Sequence, residues 1–168
     1  TELKKSGGTI AYNNVSDVLP FTRHNFAISL QKNSLYADFT VAHHFRLYNN
    51  LLGINRQKTV DALVDFFGLR PALQRRVHEL SYGVQRTLCL ALSLLRRPDF
   101  LLYDEATTGV DVFTCQNLQM LLRSVEARYG TISVVTTHLM REVDFLCDTV
   151  GVLVDGQFVE FGELESIK

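Results

Sequence analysis

None of the lysines in this chain (Lys4, Lys5, Lys32, Lys58 and Lys168) follows a glycine. A Gly-Lys-Ser/Thr loop, whose backbone amides and lysine cradle phosphates, is therefore not written in it. Cysteine is scarce as well. Cys89, Cys115 and Cys147 stand far apart, are odd in number and form no CxxC or zinc spacing, so they read as buried thiols in a reducing compartment. No apolar run approaches the roughly 20 residues that a membrane-spanning helix needs. The first residues, Thr-Glu-Leu-Lys-Lys-Ser-Gly-Gly, are no signal peptide, because no apolar stretch follows the lysines. Any membrane connection has to come through a partner or another part of the polypeptide. With a net charge of −1 the chain has no electrostatic attraction to nucleic acid or to an anionic membrane, and no nucleic-acid partner is expected. Internal repeats and low-complexity segments are missing too.

What is present is the material of a soluble globular domain. Hydrophobic residues at 46% and charged residues at 21% over 168 positions allow a real core and exclude a disordered chain.

The most informative stretch runs from Asp99 to Asp111. Four apolar residues, Phe100 to Tyr103, follow Pro98-Asp99 and stop at two adjacent carboxylates, Asp104 and Glu105. Such a run suits a strand buried on both faces, as in a parallel sheet covered by helices. The carboxyl ends of such strands are where open α/β sheets bind ligands. Alternation sends neighbouring side chains to opposite sides, so the two acids are expected to divide the work. One holds a hydrated Mg²⁺ and the other polarises a water, as nucleotide hydrolysis requires. The plain alternative is a strand ending in two solvated acids.

Around this stretch, Thr9 to Asn14 and Phe26 to Leu30 read as short strands, with Gln31 closing the second. Thr40 caps a helix whose stripe is Val41, Phe45, Tyr48 and Leu52, stopped by Gly53. Val60, Leu63, Val64 and Phe67 mark a second helix ended by Gly68, and a short turn from Pro71 makes a third. Thr87 to Leu95 is apolar nearly all round and should be a buried helix. Asp111 caps a long helix with Leu118, Leu121, Leu122 and Val125 on one face. Ile132 to Val135 is a strand, Met140 to Cys147 a helix, and Val150–Val154 with Phe158–Phe161 a closing hairpin around Asp155-Gly156. The expected fold is α/β: residues 1–31 and 96–168 form the core, and residues 32–95 form an inserted helical subdomain within a single domain.

Three further groups carry chemistry. Ser81-Tyr82-Gly83 precedes a helix directly, and helix amides with a serine hydroxyl and a glycine make a phosphate site; an ordinary serine cap is the alternative. His138 ends the Ile132 strand at the ligand-binding end, where it could meet a γ-phosphate or a water, or be a satisfied strand-end histidine. Gln31 could reach a metal or a water through its amide oxygen, or be a polar strand end. His43 and His44 are helix neighbours that point apart and make no metal pair; they, His24 and His78 receive no role.

Taken together these residues resemble the nucleotide-binding domain of ATP-binding-cassette (ABC) proteins. Leu80-Ser81-Tyr82-Gly83-Val84-Gln85-Arg86 resembles the family signature, and Phe100 to Glu105 the Walker B strand with its catalytic glutamate. Thr108-Gly109-Val110-Asp111 is similar to the D-loop, His138 to the switch histidine, Gln31 to the Q-loop glutamine, and Ser6-Gly7-Gly8-Thr9-Ile10 to the turn after the first core helix. The resemblance implies a partial P-loop NTPase-like core with a mostly parallel sheet, and ATP and Mg²⁺ as cofactors. Catalysis would fall to Glu105 and His138. Gln31, Ser81, Gly83, Asp104 and Asp111 would contact cofactor, with Asp104 and Gln31 on Mg²⁺ through water. A second nucleotide-binding domain would pack head to tail, and residues 32–52 would face a transmembrane domain at the cytoplasmic side of a membrane. Wording around Leu35–Val41 and Val159–Leu164 resembles the lipid-exporting A subfamily or bacterial drug and polysaccharide exporters.

The departures are Tyr82 for the first signature glycine, Val84 for the glutamine, Ala106 for a proline and Leu30 for the proline that often precedes the glutamine. The family's P-loop would lie just before the region that Thr1 to Ile10 resembles. The expectation is an ABC ATPase domain truncated before, or lacking, that loop, and hydrolysing almost no ATP alone. The functional expectation is ATP hydrolysis coupled to membrane transport. The alternatives are a degenerate half-site that completes a partner's ATP site, a soluble ABC protein of translation or DNA repair, and an unrelated metal-dependent hydrolase.

Overall fold

A computed structural model describes residues 11–12, 15–16, 26–53, 57–105 and 107–167. Its centre is a parallel three-stranded sheet of β3 (Phe26–Ser29), β4 (Phe100–Asp104) and β5 (Ile132–Thr136), in the order β3-β4-β5. Parallel neighbours need crossover connections, and this chain supplies helical ones. Between β3 and β4 come α1 (Val41–Leu51), α2 (Gln57–Phe66), two 3₁₀ turns (Arg70–Ala72 and Val77–Glu79) and α3 (Tyr82–Ser93). Between β4 and β5 runs α4 (Val112–Tyr129), and after β5 follows α5 (Met140–Leu146). The described parts of the amino-terminal region pair as β1 (Ala11–Tyr12) with β2 (Val15–Ser16). The antiparallel hairpin of β6 (Thr149–Val154) and β7 (Gln157–Glu163), then α6 (Leu164–Ile167), close the chain. The remainder of the expected Thr9–Asn14 strand and the Ser6–Ile10 turn lie outside the described residues, as do His24 and Ala106.

Local chemistry accounts for the element ends. Thr40, Ser81 and Asp111 each have extended backbone and accept a helix N–H, from His43, Val84 and Thr114 respectively. Gly53, Gly68 and Gly130 take left-handed backbone after helices. The turn between β6 and β7 carries Asp155 at φ 48° and Gly156 at φ 76°, the residue pair that a tight hairpin favours. The Pro71 segment is a single 3₁₀ turn rather than a helix. The helix expected over Thr87–Leu95 starts earlier, at Tyr82, because Ser81 caps it.

One apolar core joins the helices to the sheet. Phe45, Leu63, Val64, Leu88 and Leu90 belong to the same cluster as Leu101, Tyr103, Leu118, Leu122 and Val125. In β4 only Leu101 and Tyr103 are fully buried, and the opposite face is partly covered. On that face Ile28, Ile132 and Val134 remain more than half exposed, so the expected burial of the sheet on both faces is not met among the described residues. The cysteines differ from expectation in part: Cys115 is buried, whereas Cys89 and Cys147 are half-buried, and burial pushes the last two thiols up. His44 proves to be a core residue, its Nδ1 facing the Thr40 carbonyl at 2.9 Å and its Nε2 accepting the Tyr36 N–H at 2.9 Å.

Candidate functional site

The parallel register sets Asp104 beside Thr136 at the carboxyl ends of β4 and β5. Glu105 is the first residue beyond the strand and has φ 41°, a left-handed conformation that non-glycine residues rarely adopt. Strand alternation therefore stops governing it. Its N–H is held by the Thr136 carbonyl at 3.0 Å, and its carbonyl accepts the Thr108 N–H at 3.1 Å. The side chain leaves the strand axis and is caught from three directions. Gln31 Nε2 donates to Oε2 at 2.9 Å, and the Thr108 hydroxyl donates to the same oxygen at 3.4 Å. His138 Nδ1 stands 3.3 Å from Oε1, so an Nδ1–H tautomer donates there. The Glu105 side chain is one-third exposed (32%) and that of His138 mostly exposed (62%), so the group is anchored yet open to solvent.

Asp104 turns elsewhere. It is exposed, and its Oδ1 accepts the Thr136 hydroxyl at 2.5 Å. The two acids have different partners: Asp104 accepts the Thr136 hydroxyl, and Glu105 meets the Gln31 amide, the Thr108 hydroxyl and the His138 imidazole. Gln31, Asp104, Glu105, Thr108, Thr136 and His138 thus gather at one end of the sheet.

Ser81, Gly83 and Asp111 form a second group. The Ser81 hydroxyl accepts the Val84 N–H at 3.4 Å, which leaves its own proton free to donate outward. A Cβ added at Gly83 would lie 2.5 Å from Thr114 Cγ2, so this glycine is needed for the close passage of α3 over the first turn of α4. Asp111 Oδ1 accepts the Thr114 N–H at 3.0 Å. Bonds to Thr114 hold the Asp111 carboxyl below its usual range. The Tyr82 ring, 42% exposed, leans over Gly109, with Cε1 3.7 Å from where a Cβ there would stand.

Arg86 ties the α3 helix to the Gln31 loop. It is only 2% exposed, and its Nη1 donates to the carbonyls of Leu30 at 2.6 Å and Gln31 at 3.0 Å and to Asn33 Oδ1 at 3.0 Å. Arg86 and Thr108 stand within the signature-like and D-loop-like segments without a role of their own, and Thr136 belongs to neither. Thr136 could have been found by aligning the strand ends, since it sits opposite Asp104. Arg86 had no such signal, because a charged residue at helix spacing reads as solvated.

Among the described residues no three His, Cys, Asp or Glu side chains converge into a metal cage. Mg²⁺ takes one or two carboxylates, several waters and substrate phosphates rather than an all-protein shell. Asp104, an exposed carboxylate at the strand end, is a fitting donor. No helix among the described residues is long and apolar enough to cross a membrane.

A parallel sheet that presents an acid pair, an imidazole and an amide at its carboxyl end defines an α/β domain of the nucleotide-binding class. More specifically, the profile of the family described as ABC transporter matches residues 1–108, and the chain belongs to that family. It is 31% identical over 141 residues to the cholesterol transporter ABCA5 of Rattus norvegicus, covering 82% of this chain and 9% of that protein. To the probable multidrug ABC transporter ATP-binding protein YbhF of Escherichia coli K12 it is 30% identical over 149 residues, covering 87% of this chain and 25% of that protein. Among solved structures, cbiO1 of Clostridium perfringens, part of the ABC transporter complex cbiONQ, superimposes with a TM-score of 0.82 at 24% identity, covering 98% of this chain and 69% of that one. The chain thus has the fold of an ABC ATPase domain and spans between 9% and 25% of these curated relatives. Domains of this family generally bind ATP with Mg²⁺ and pair with a second such domain and a transmembrane domain.

Proposed function

We propose that this chain carries the hydrolytic acids of an ABC transporter that couples ATP turnover to movement of a substrate across a membrane. The observation that carries the reading is the Glu105 carboxylate, held by Gln31, Thr108 and His138 from three separate loops at one end of the sheet. In this reading Glu105 polarises the attacking water, and the hydrogen bonds on its two oxygens support that role by limiting rotation of the carboxylate. His138 keeps Nδ1–H on Glu105, and its Nε2 donates to a γ-phosphate when the ring carries a proton on both nitrogens. Asp104 would hold the Mg²⁺ of the nucleotide through water. Gln31, its Nε2 spent on Glu105, has its amide oxygen left for the same hydration shell. When bound, the ion would neutralise charge on the phosphates.

Ser81 and Gly83 are assigned to a nucleotide held by a second, head-to-tail domain, with Asp111 at that interface. Residues 32–95 form the helical part of the domain, and residues 32–52 meet the transmembrane partner at the cytoplasmic face. In the full-length protein, Glu105→Gln is expected to abolish phosphate release while nucleotide binding persists. Undiminished hydrolysis by that variant would overturn the assignment.

One observation favours a second reading, a half-site that completes a partner's site without fast turnover. Tyr82 adds a ring between the signature turn and Gly109 where the family carries glycine. A large gain in hydrolysis for the full-length Tyr82→Gly, Val84→Gln protein would select this reading, and an unchanged rate the first.

A further inference from the structure

We propose that Thr136 is the positioning residue for both acids, setting Asp104 through its hydroxyl proton and Glu105 through its hydroxyl oxygen. The inference rests on the hydrolytic reading above and adds to it a residue assigned no role there. One hydroxyl can donate once and accept as well. At Thr136 both capacities go to the acid pair: the hydroxyl donates to Asp104 Oδ1 at 2.5 Å, and its oxygen accepts the Glu105 N–H at 3.3 Å.

The same N–H also meets the Thr136 carbonyl at 3.0 Å, so one residue closes a three-centre clasp on Glu105, which sits in left-handed backbone at φ 41°. The clasp decides where the Glu105 side chain starts, and therefore whether it reaches Gln31 and His138. The bond to Asp104 occupies one carboxylate oxygen and turns the other outward for a hydrated cation. Neighbouring threonines do not duplicate this. The Thr137 hydroxyl accepts the Leu139 N–H at 3.0 Å, and the Thr108 hydroxyl donates to the far end of Glu105. The register explains why position 136 is the one: it faces Asp104 across the last rung of the β4–β5 ladder.

Valine replaces the hydroxyl with a methyl of the same shape, and serine keeps the hydroxyl while losing the methyl. The test compares Thr136→Val and Thr136→Ser in the full-length protein by ATP hydrolysis and by titration of Mn²⁺, read by electron paramagnetic resonance, in the presence of a non-hydrolysable ATP analogue. Thr136→Val is expected to lower kcat by about tenfold to a hundredfold with KM for ATP nearly unchanged, the scale of a lost hydrogen bond to a charged group. Half-saturating Mn²⁺ is expected to rise by about tenfold on the same scale. Thr136→Ser should keep both near the native values. Thr136→Cys, a weaker donor, should fall between the two and serves if the valine variant does not fold.

Native kcat and Mn²⁺ binding in Thr136→Val would overturn the positioning role. So would a serine variant as defective as valine, since the methyl would then be what matters, or tighter Mn²⁺ binding in valine, since the hydroxyl would then compete with the cation. If the native protein neither turns over ATP nor binds Mn²⁺ with the analogue, the hydrolytic reading itself fails and takes this inference with it.

Discussion

Gln31 donates its side-chain amide to Glu105 at 2.9 Å, although 74 positions of sequence separate them. The contact links the end of β3 to the end of β4 at the carboxylate to which the proposed function gives activation of the attacking water. Because His138 engages the other oxygen, each side of the carboxylate is anchored by a different segment of chain. Movement of any of these loops changes what the carboxylate can reach.

Removing the Gln31 amide should therefore act on the chemical step. Gln31→Ala is expected to slow hydrolysis by about tenfold at saturating ATP, as one hydrogen bond to a charged group is lost. Gln31→Glu should be slower still, since a second carboxylate beside Glu105 repels it and favours protonation of one of the pair. Single-turnover phosphate release checks both.

Arg86 should matter for stability and for the Gln31 loop together. Arg86→Met preserves the buried stem but leaves the carbonyls of Leu30 and Gln31 without their donor. We expect a loss of about 1–3 kcal/mol, seen as a melting temperature lower by several degrees. Faster hydrogen exchange of the backbone around Gln31 should accompany it. Arg86→Lys, with a single ammonium, should recover only part of the effect.

The passage of α3 over α4 makes a steric prediction. Gly83→Ala drives a methyl against Thr114 Cγ2, at 2.5 Å, and should cost about 1–3 kcal/mol by overpacking. Thr114→Ser deletes that methyl. In the double variant much of the loss should return, and a double-mutant cycle on thermal unfolding would read the coupling directly.

Asp111 supplies the pH dependence. Its native carboxyl titrates below the ordinary range because of its bonds to Thr114, so the cap contributes stability that is fully present above the unfolded pKa of about 4. That contribution is lost as pH falls through the lower native value. Asp111→Ala should thus melt below the native protein at pH 7, with the gap closing toward strongly acidic pH. Melting curves across that range test the sign.

Short-range chemistry made much of this molecule readable in one dimension. The helices beginning after Thr40, Ser81 and Asp111 start at side chains that accept their own helix N–H, and Asp155-Gly156 turns a hairpin within two residues. The run Phe100–Tyr103 ending in two acids is likewise written in consecutive positions, and its place at a strand's carboxyl end follows from apolar patterning. Family likeness added roles, because motif order survives in sequence even when contacts are invisible.

What packing alone decided lies between distant segments. No local rule brings Gln31 and His138 to one carboxylate, makes Gly83 necessary through Thr114, or buries Arg86 against the carbonyls of another loop. The left-handed turn at Glu105 and the double use of the Thr136 hydroxyl depend on parallel register, which is set when helices and sheet close over one core. Periodicity and capping act over a few residues and can be read along the chain. Register and side-chain convergence are properties of the closed structure, because they arise only when segments far apart in sequence bury their apolar faces together.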